Sequence, residues 1–114
     1  MLGGVPIDSP LGLLGHSDAD AVLHALTDAV LGAIGADDIG ELFPDTDPQW
    51  KDADSWRFLR AAVAMAVERG WQVCNADITV LTEQPKLKAY KPAMLERIAE
   101  LLGVSADAVA VKAK

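Results

Sequence analysis

A helical apolar stripe between residues 19 and 34 is the feature that most limits how this chain folds. Its apolar residues recur at intervals of three and four, which is the spacing of one face of an α-helix. Ser17 and Asp20 have the spacing of a capping box, which predicts that the helix begins there, and Gly32 or Gly35 is expected to end it. The stripe comprises Ala19, Val22, Leu23, Leu26, Ala29, Val30, Ala33 and Ile34.

Both histidines of the chain lie in or just before this helix. Asp20, His24 and Asp28 are four residues apart, so we expect them to share the face opposite the stripe. A helix start leaves free amide groups that favour anions, and His16 beside them is placed to donate a hydrogen bond to a phosphoryl group. His24 and Asp20 supply at most two of the roughly three protein ligands of a catalytic zinc ion. Taken alone, spacing favours a solvent-facing helical histidine for His24, and it permits a plain loop histidine hydrogen-bonded to the helix terminus for His16 as readily as a phosphate-binding one.

Composition narrows the class of protein further. The 114 residues suffice for one domain, residues 1–114, and their net charge of -7 makes a nucleic-acid backbone an unfavourable partner. The single cysteine, Cys74, excludes an internal disulfide and fits a reducing cytoplasm. No stretch resembles a signal peptide or a membrane helix, so we expect a cytoplasmic protein that binds neither nucleic acid nor membrane.

The remaining pattern alternates helices and strands. A short strand is expected at residues 2–7, a half-buried strand at 72–81 and a final strand at 109–112. Asp54 or Ser55 caps a second helix that ends at Gly70, and a third helix runs from Pro92 to Leu102. These elements predict an α/β chain of the α+β type, a single domain with a small mixed sheet and helices on one side. The predicted buried face of the second helix is Trp56, Leu59, Ala62, Val63, Ala66 and Val67.

Two loops contain polar residues that suit either a structural role or ligand binding. Residues 37–48 are rich in Asp, Gly and Pro, and spacing alone favours a string of turns, although the carboxylates suit ligand hydroxyls or Mg²⁺. Spacing alone likewise favours a plain solvated connection for residues 82–88, although their backbone groups beside a lysine suit a nucleotide base and its phosphate.

Several segments together resemble the 2-C-methyl-D-erythritol 2,4-cyclodiphosphate synthase family of non-mevalonate isoprenoid (terpenoid) biosynthesis. The likeness runs the whole length of the chain in the order found in the family, so it is far more specific than any single motif. The matching segments are residues 12–29, 38–40, 42–48, 53–55 and 84–87.

The resemblance implies a homotrimer of α/β subunits with sheets facing the threefold axis. The family reaction is that of a phosphorus-oxygen lyase. The 2-phosphate of 4-diphosphocytidyl-2-C-methyl-D-erythritol 2-phosphate attacks its own diphosphate, which closes a ring and expels CMP. Phosphoryl transfer of this kind depends on positioning and charge neutralisation. The implied cofactors are a divalent ion, zinc above all, and a second Mg²⁺ or Mn²⁺ with the substrate diphosphate.

The resemblance also implies roles for particular residues. His24 resembles the helix-borne metal ligand, while His16, as catalytic residue, and Ser17 resemble the pair that holds phosphate and stabilises the transition state. The implied methylerythritol and ribose site is Asp38, Ile39, Gly40, Phe43, Pro44, Asp45, Thr46 and Asp47. The implied cytidine-binding loop is Thr82, Glu83, Gln84, Pro85, Lys86, Leu87 and Lys88.

The chain departs from the family pattern at both ends. Family members begin with an Asp-x-His motif that gives two of three metal ligands, and they end with a Thr-rich and Gly-rich segment. Neither occurs here, so the resemblance identifies the chain with the middle of the enzyme and implies weak metal binding and little activity. The alternative is a non-catalytic oligomerising or binding relative; a metal-dependent phosphohydrolase is a weaker rival, because only two histidines exist.

Overall fold

The computed structural model describes residues 1–6, 8–9, 12–13, 20–81 and 87–114. Two short strands come first, β1 (Asp8–Ser9) and β2 (Gly12–Leu13), followed by helices α1 (Ala21–Ala33), α2 (Ile39–Leu42) and α3 (Ser55–Glu68). Strand β3 (Ala76–Val80), helix α4 (Lys91–Leu102) and strand β4 (Val109–Ala113) complete the order. Strands β1 and β2 form an antiparallel pair, and β3 and β4 form a parallel pair.

Helix α1 begins one turn later than the capping box predicts. Asp20, and not Ser17, is the N-cap residue of α1, so the predicted capping box is wrong; Ser17 itself lies outside the described residues. The Asp20 carboxylate accepts hydrogen bonds from the backbone N–H groups of Leu23 at 3.0 Å, Gly3 at 2.9 Å and Gly4 at 2.8 Å. Two of these three donors come from the distant turn, so a tertiary contact decides where the helix starts.

The conformation of the turn at Gly3 and Gly4 requires glycine at both positions. Both have positive φ, 58° and 77°, which favours glycine. A Cβ at Gly3 would also lie 2.9 Å from the Met94 side chain. Leu2 and Val5 pair across this turn as an isolated bridge, so the strand predicted for residues 2–7 is a turn within the described residues; Ile7 lies outside them.

Helices α1 and α3 pack against each other and build the core together with α4 and β4. Asp20 is almost fully buried, which contradicts its predicted place on a polar face, whereas Asp28 is exposed. On α3 the buried residues are shifted from the predicted set. Phe58 is buried, while Trp56 is 37% exposed and Val67 60% exposed, because α3 turns its Phe58 side toward α1 and the loop before it. The buried residues of α3 are Ser55, Phe58, Leu59, Ala62 and Ala66.

The second half of the chain is a parallel β-α-β unit. Strand β3 pairs with β4 in the register Ala76 with Val109 through Val80 with Ala113, and α4 connects them. Alternate residues of β3 are exposed, as predicted from the period of two. Asp77 and Lys112 form a 2.6 Å ion pair on the exposed face. The α+β class, with helices on one side of a small sheet, is confirmed, although the described pairs form two separate small sheets, one antiparallel and one parallel.

The strand predicted for residues 72–81 is shorter in the structure and spans Ala76–Val80, whereas other predicted boundaries hold closely. Gly103, at φ 75°, ends α4, and the final strand begins at Val109 as predicted. Helix α2 lies within the stretch 37–48 that the sequence assigns to turns. None of the helices in the described segments has the length and apolar character needed to cross a membrane.

The Asp20 contacts predict a large effect on stability. Asp20→Ala removes the acceptor of three N–H groups, each costing about 1–3 kcal/mol when left unpaired in a buried place. We therefore expect the free energy of unfolding, measured by urea denaturation, to fall by roughly 3 kcal/mol or more. Asp107→Ala removes an exposed aspartate and serves as the matched control. Equal midpoints for the two variants would contradict this role of Asp20.

Candidate active site

A cavity of about 500 Å³ lies between α1, α2 and the first turns of α3. It gathers one histidine, a group of aromatic side chains and several polar residues from one continuous part of the chain. Its lining residues are His24, Ile39, Gly40, Phe43, Pro44, Asp45, Thr46, Trp50, Asp52, Ala53 and Phe58.

Carboxylates fix the position of helix α2 at the rim of this cavity. Asp38 caps α2 by accepting a hydrogen bond from the Glu41 N–H at 3.1 Å. The Asp28 carboxylate, on α1, accepts another from the Ile39 N–H at 3.3 Å. Acidic residues at a helix start are favourable because the free N–H groups carry partial positive charge. Helix α2 is therefore attached to α1 and holds Ile39 and Gly40 against the cavity.

Consecutive turns connect α2 to α3 and form the wall of the cavity between these helices. The Asp47 N–H donates to the Pro44 carbonyl at 3.0 Å, and the Trp50 N–H donates to the Asp47 carbonyl at 2.9 Å. The Asp47 carboxylate accepts from the Gln49 N–H at 2.9 Å. These bonds satisfy the backbone locally, so the wall needs no strand or helix to keep its shape.

Three aromatic rings form the floor of the cavity. Phe43, Trp50 and Phe58 pack in mutual contact, with ring centroids 4.6 Å apart for Phe43 and Trp50, 5.6 Å for Phe43 and Phe58, and 5.5 Å for Trp50 and Phe58. The Arg57 guanidinium lies 5.5 Å from the Trp50 ring centroid. We call Phe43, Trp50 and Phe58 the aromatic cluster; it gives the cavity an apolar floor under a polar rim.

His24 lies at the end of this aromatic cluster. Its ring meets Phe58 edge to face, with centroids 6.1 Å apart and planes at 75°. Its Nε2 lies 3.2 Å from the Ser55 Oγ. The side chain is half-buried, and within the described part of the chain its Nδ1 makes no hydrogen bond. His24 is thus held at one ring nitrogen and along one edge.

The described residues of the cavity supply one ligand for a metal ion, His24. Both Asp20 oxygens accept backbone hydrogen bonds, so Asp20 is not the second ligand that the spacing allows. Among the described residues no group of three or more His, Cys, Asp or Glu side chains is arranged to hold a metal ion. An imidazole nitrogen is nevertheless a good zinc donor, and His24 has one available.

The segment that forms the cavity is strongly acidic. Residues 28–54 contain eight Asp or Glu residues and a single basic residue, Lys51. Such a segment suits ligand hydroxyl groups and cations, whereas a bare phosphate is repelled unless a cation or another part of the chain neutralises it.

The structure brings together most of the predicted methylerythritol and ribose site. Asp38 and Asp47 shape the wall through their hydrogen bonds without lining the cavity. Leu87, predicted to contact the ligand, is instead buried in the core as a whole residue, and Lys88 is exposed at the start of a 3₁₀ turn. The predictions for His16, Ser17 and residues 82–86 lie outside the described residues. The predicted residues that line the cavity are His24, Ile39, Gly40, Phe43, Pro44, Asp45 and Thr46.

Sequence reasoning missed several residues of the site. Phe58 and Asp52 line the cavity, and Trp50 does so in addition to its predicted packing role. The spacing of Ser55 and Phe58, three apart at the start of α3, places them on one helix face and is the signal that could have found them.

A second, mainly apolar groove of about 400 Å³ lies between α1, α3 and the segment before β3. Trp71 and Cys74 are among its lining residues, and none of the predicted site residues reaches it. The polar cavity is therefore the candidate site.

The fold is that of a small α+β domain with a polar-rimmed cavity beside a histidine. A family model described as the YgbB family matches residues 1–114, and the chain belongs to that family. The expected family is thereby confirmed, because the relatives carry the name of the synthase that the sequence resembles.

The 2-C-methyl-D-erythritol 2,4-cyclodiphosphate synthase of Dechloromonas aromatica (strain RCB) is 57% identical over 114 residues, covering 100% of this chain and 71% of the relative. A bifunctional IspD/IspF enzyme of Paramagnetospirillum magneticum is 54% identical over 98% of this chain and 29% of its own length. A solved 2C-methyl-D-erythritol-2,4-cyclodiphosphate synthase, in a form bound to CDP, superposes with a TM-score of 0.93 at 41% identity over 100% of this chain and 76% of its own.

Asp52 offers a test of the cavity wall. It has a φ of 58°, the one positive value among the described non-glycine residues. Glycine adopts this backbone without strain, while a β-branched residue does not. We expect Asp52→Gly to raise the free energy of unfolding by up to about 1 kcal/mol and Asp52→Val to lower it by about 1–2 kcal/mol, measured by thermal or urea denaturation. The reverse order of stability would contradict the left-handed conformation.

Proposed function

We propose that this chain forms the substrate-binding core of a cyclodiphosphate synthase of isoprenoid biosynthesis. The reaction converts 4-diphosphocytidyl-2-C-methyl-D-erythritol 2-phosphate to 2-C-methyl-D-erythritol 2,4-cyclodiphosphate and releases CMP. In it the 2-phosphate oxygen forms a bond to the nearer phosphorus of the diphosphate, and the bond from that phosphorus to the CMP oxygen breaks.

One observation carries this proposal. His24 of α1 and six residues of the segment 39–46, which are expected to bind methylerythritol and ribose, line a single cavity. The name of a relative that is 57% identical and the CDP-bound state of a similar structure support the same substrate class.

The cavity suits a methyl-branched polyol. The aromatic cluster supplies apolar surface for the methyl group and excludes water there, while Asp45 and Thr46 at the rim offer oxygen atoms to hydroxyl groups. Fixing the polyol in this way brings the two phosphoryl groups into one orientation, which converts the ring closure into a favourable intramolecular step.

The remaining roles follow the family resemblance. His24 would hold a divalent ion, zinc above all, which would orient and neutralise phosphate oxygens, with Mg²⁺ or Mn²⁺ on the substrate diphosphate. His16 and Ser17 would bind phosphate and stabilise the transition state, with His16 as the catalytic residue. Residues 82–88 would bind cytidine, with Lys86 near the diphosphate.

We also propose that the family's trimer forms with the exposed face of the β3–β4 sheet toward the threefold axis. Thr79 and Ala110 are exposed on this face, beside the ion pair of Asp77 and Lys112. The other candidate function is a non-catalytic binding relative of the synthase. The single metal ligand among the described residues favours it.

Filling the cavity at Gly40 tests the binding site. A Cβ at Gly40 meets nothing closer than the Asp38 Oδ1 at 3.6 Å, so Gly40→Leu is expected to fold and to occupy ligand space. Its affinity for the substrate, measured by calorimetry, should fall by about tenfold or more, since overpacking costs roughly 1–3 kcal/mol. Gly32→Leu on α1 is the matched control, because a Cβ there meets nothing within 4 Å. Unchanged affinity in Gly40→Leu would exclude this cavity as the substrate site.

The metal content of the chain tests the catalytic half of the proposal. With His24 as the one ligand among the described residues, we expect the purified 114-residue protein to bind zinc weakly and to release CMP slowly. Metal analysis after dialysis measures the bound zinc, and a phosphorus NMR assay measures the release of CMP. Stoichiometric zinc with CMP release at ordinary enzymatic rates would overturn the weak-binding prediction. Tight substrate binding without any CMP release would favour the non-catalytic relative.

A further inference from the structure

Arg57 stacks on one of the three rings that form the floor of the cavity. Its guanidinium carbon lies 5.5 Å from the centroid of the Trp50 ring, within the ~6 Å range of a cation–π contact. Arg57 stands in the first turn of α3, where its backbone N–H donates to the Asp54 carbonyl at 3.0 Å. The next residue, Phe58, is another ring of the aromatic cluster. The start of α3 therefore supplies one ring of the floor and the cation that contacts a second ring.

Trp50 is the least enclosed member of the aromatic cluster. Phe43 and Phe58 are each 8% exposed, whereas Trp50 is only half-buried. Its backbone is fixed on both sides. The Trp50 N–H donates to the Asp47 carbonyl at 2.9 Å, and the Trp50 carbonyl accepts from the Ala53 N–H at 3.1 Å. Rotation about the side-chain bonds is the freedom that remains to the indole, and contacts with its neighbours must restrict it.

The charge of Arg57 meets this ring and not a carboxylate. The ion pairs between described residues join Arg97 to Glu100 and Lys112 to Asp77, and Arg57 takes no part in them. This is so although residues 28–54 contain eight Asp or Glu residues. A guanidinium is planar and weakly hydrated, so it lies well on an aromatic face while its N–H groups stay in water. Within the described chain, Arg57 thus exerts its charge through Trp50.

We propose that Arg57 is a positioning residue whose guanidinium holds the Trp50 ring against Phe43 and Phe58 and so fixes the apolar floor of the cavity. Arg57 acts through Trp50, because it is not itself among the residues that line the cavity. A surface that is already ordered binds an apolar group better than one that must first become ordered. The positioning of the ring stands independently of the substrate, whereas its consequence for ligand choice rests on the proposed function.

The consequence for the substrate concerns its methyl branch. Burying one methyl group against an ordered apolar surface favours binding by about fourfold. We therefore expect the unsubstituted protein to bind the methyl-branched substrate about fourfold more tightly than its unbranched erythritol analogue, measured by calorimetry. In Arg57→Met the looser floor should bring the two affinities close to equality. The charge of Arg57 attracts the phosphates of both compounds alike, so the ratio of the affinities reports the floor alone.

Nuclear Overhauser contacts between aromatic protons test the position of the ring directly. The chain has two phenylalanines, both in the aromatic cluster, and Trp50→Leu identifies the signals of Trp50 among those of three tryptophans. We expect contacts of Trp50 with Phe43 and Phe58 in the unsubstituted protein, marked weakening of them in Arg57→Met, and their retention in Arg57→Lys. Methionine keeps the helix propensity and most of the side-chain length without the charge. Undiminished contacts in Arg57→Met, or equal weakening in Arg57→Lys, would refute the role of the charge.

Arg60→Met is the matched control. Arg60 is exposed one turn further along α3, so its loss removes the same charge from the same helix. This variant should leave the ring contacts and the affinity ratio unchanged. An effect equal to that of Arg57→Met would overturn the proposal, since it would trace the change to the net charge of α3.

A double-mutant cycle separates the contact from general effects on folding. Arg57→Met and Trp50→Leu are made singly and together, and the folding equilibrium constant of each variant is measured by urea denaturation. The coupling between the two sites should change that constant by about two- to fivefold. Strict additivity would show that Arg57 and Trp50 do not interact and would overturn the proposal.

Failure of the proposed function gives a different result. If the unsubstituted protein shows no preference for the methyl branch while Arg57→Met still weakens the ring contacts, the assignment of the substrate fails and the positioning role stands. A normal preference in the unsubstituted protein, together with unchanged ring contacts and unchanged preference in Arg57→Met, rejects the positioning role alone.

Discussion

The burial of one carboxylate determines the geometry of the first half of this protein. Asp20 is 1% exposed and uses both oxygens on three backbone N–H groups, two from the Gly3–Gly4 turn and one from α1. A buried charge is tolerated because hydrogen bonds replace its water, and losing the partners would leave it uncompensated. This contact determines where α1 begins. The start of α1 in turn fixes the position of His24 in the first turn of the helix, where its backbone N–H donates to the Asp20 carbonyl.

The candidate site follows from how α1 and α3 meet. His24 comes from α1, and the two groups that hold its ring, Ser55 and Phe58, come from α3. The connection between α1 and α3 contains only the short helix α2 and turns, and carboxylates at the start of α2 stabilise it. The resulting cavity has an apolar floor and an acidic surrounding segment. Under the proposed function, this combination would suit a polyol, and phosphate binding would need positive charge from a metal ion or from elsewhere in the protein.

Local patterns predicted much of the fold. The helix ending at Gly103 and the alternation in β3 were both correct, since they depend on spacing within one element. The predicted start of α1 was wrong because the backbone N–H groups of Gly3 and Gly4, far away in the sequence, donate hydrogen bonds to Asp20. Helix α2 was missed since its four residues carry no periodic signal. For the site, the family resemblance predicted roles for His24 and for the Asp38 and Phe43 segments, which the structure places around one cavity. The spacing of Ser55 and Phe58 places them on one face of α3, but only the packing of α3 on α1 shows that this face meets His24.

The cavity wall is built from one continuous stretch, His24 to Phe58, whereas the β-α-β unit occupies the later part of the chain. Local opening can therefore expose the site without separating β3 from β4, because the hydrogen bonds broken are those of turns and a four-residue helix. Amide hydrogens of α2 and the following turns should then exchange with solvent sooner than those of the parallel strands. A ligand that closes the wall would slow that exchange selectively, which couples occupancy of the cavity to the local stability of this stretch.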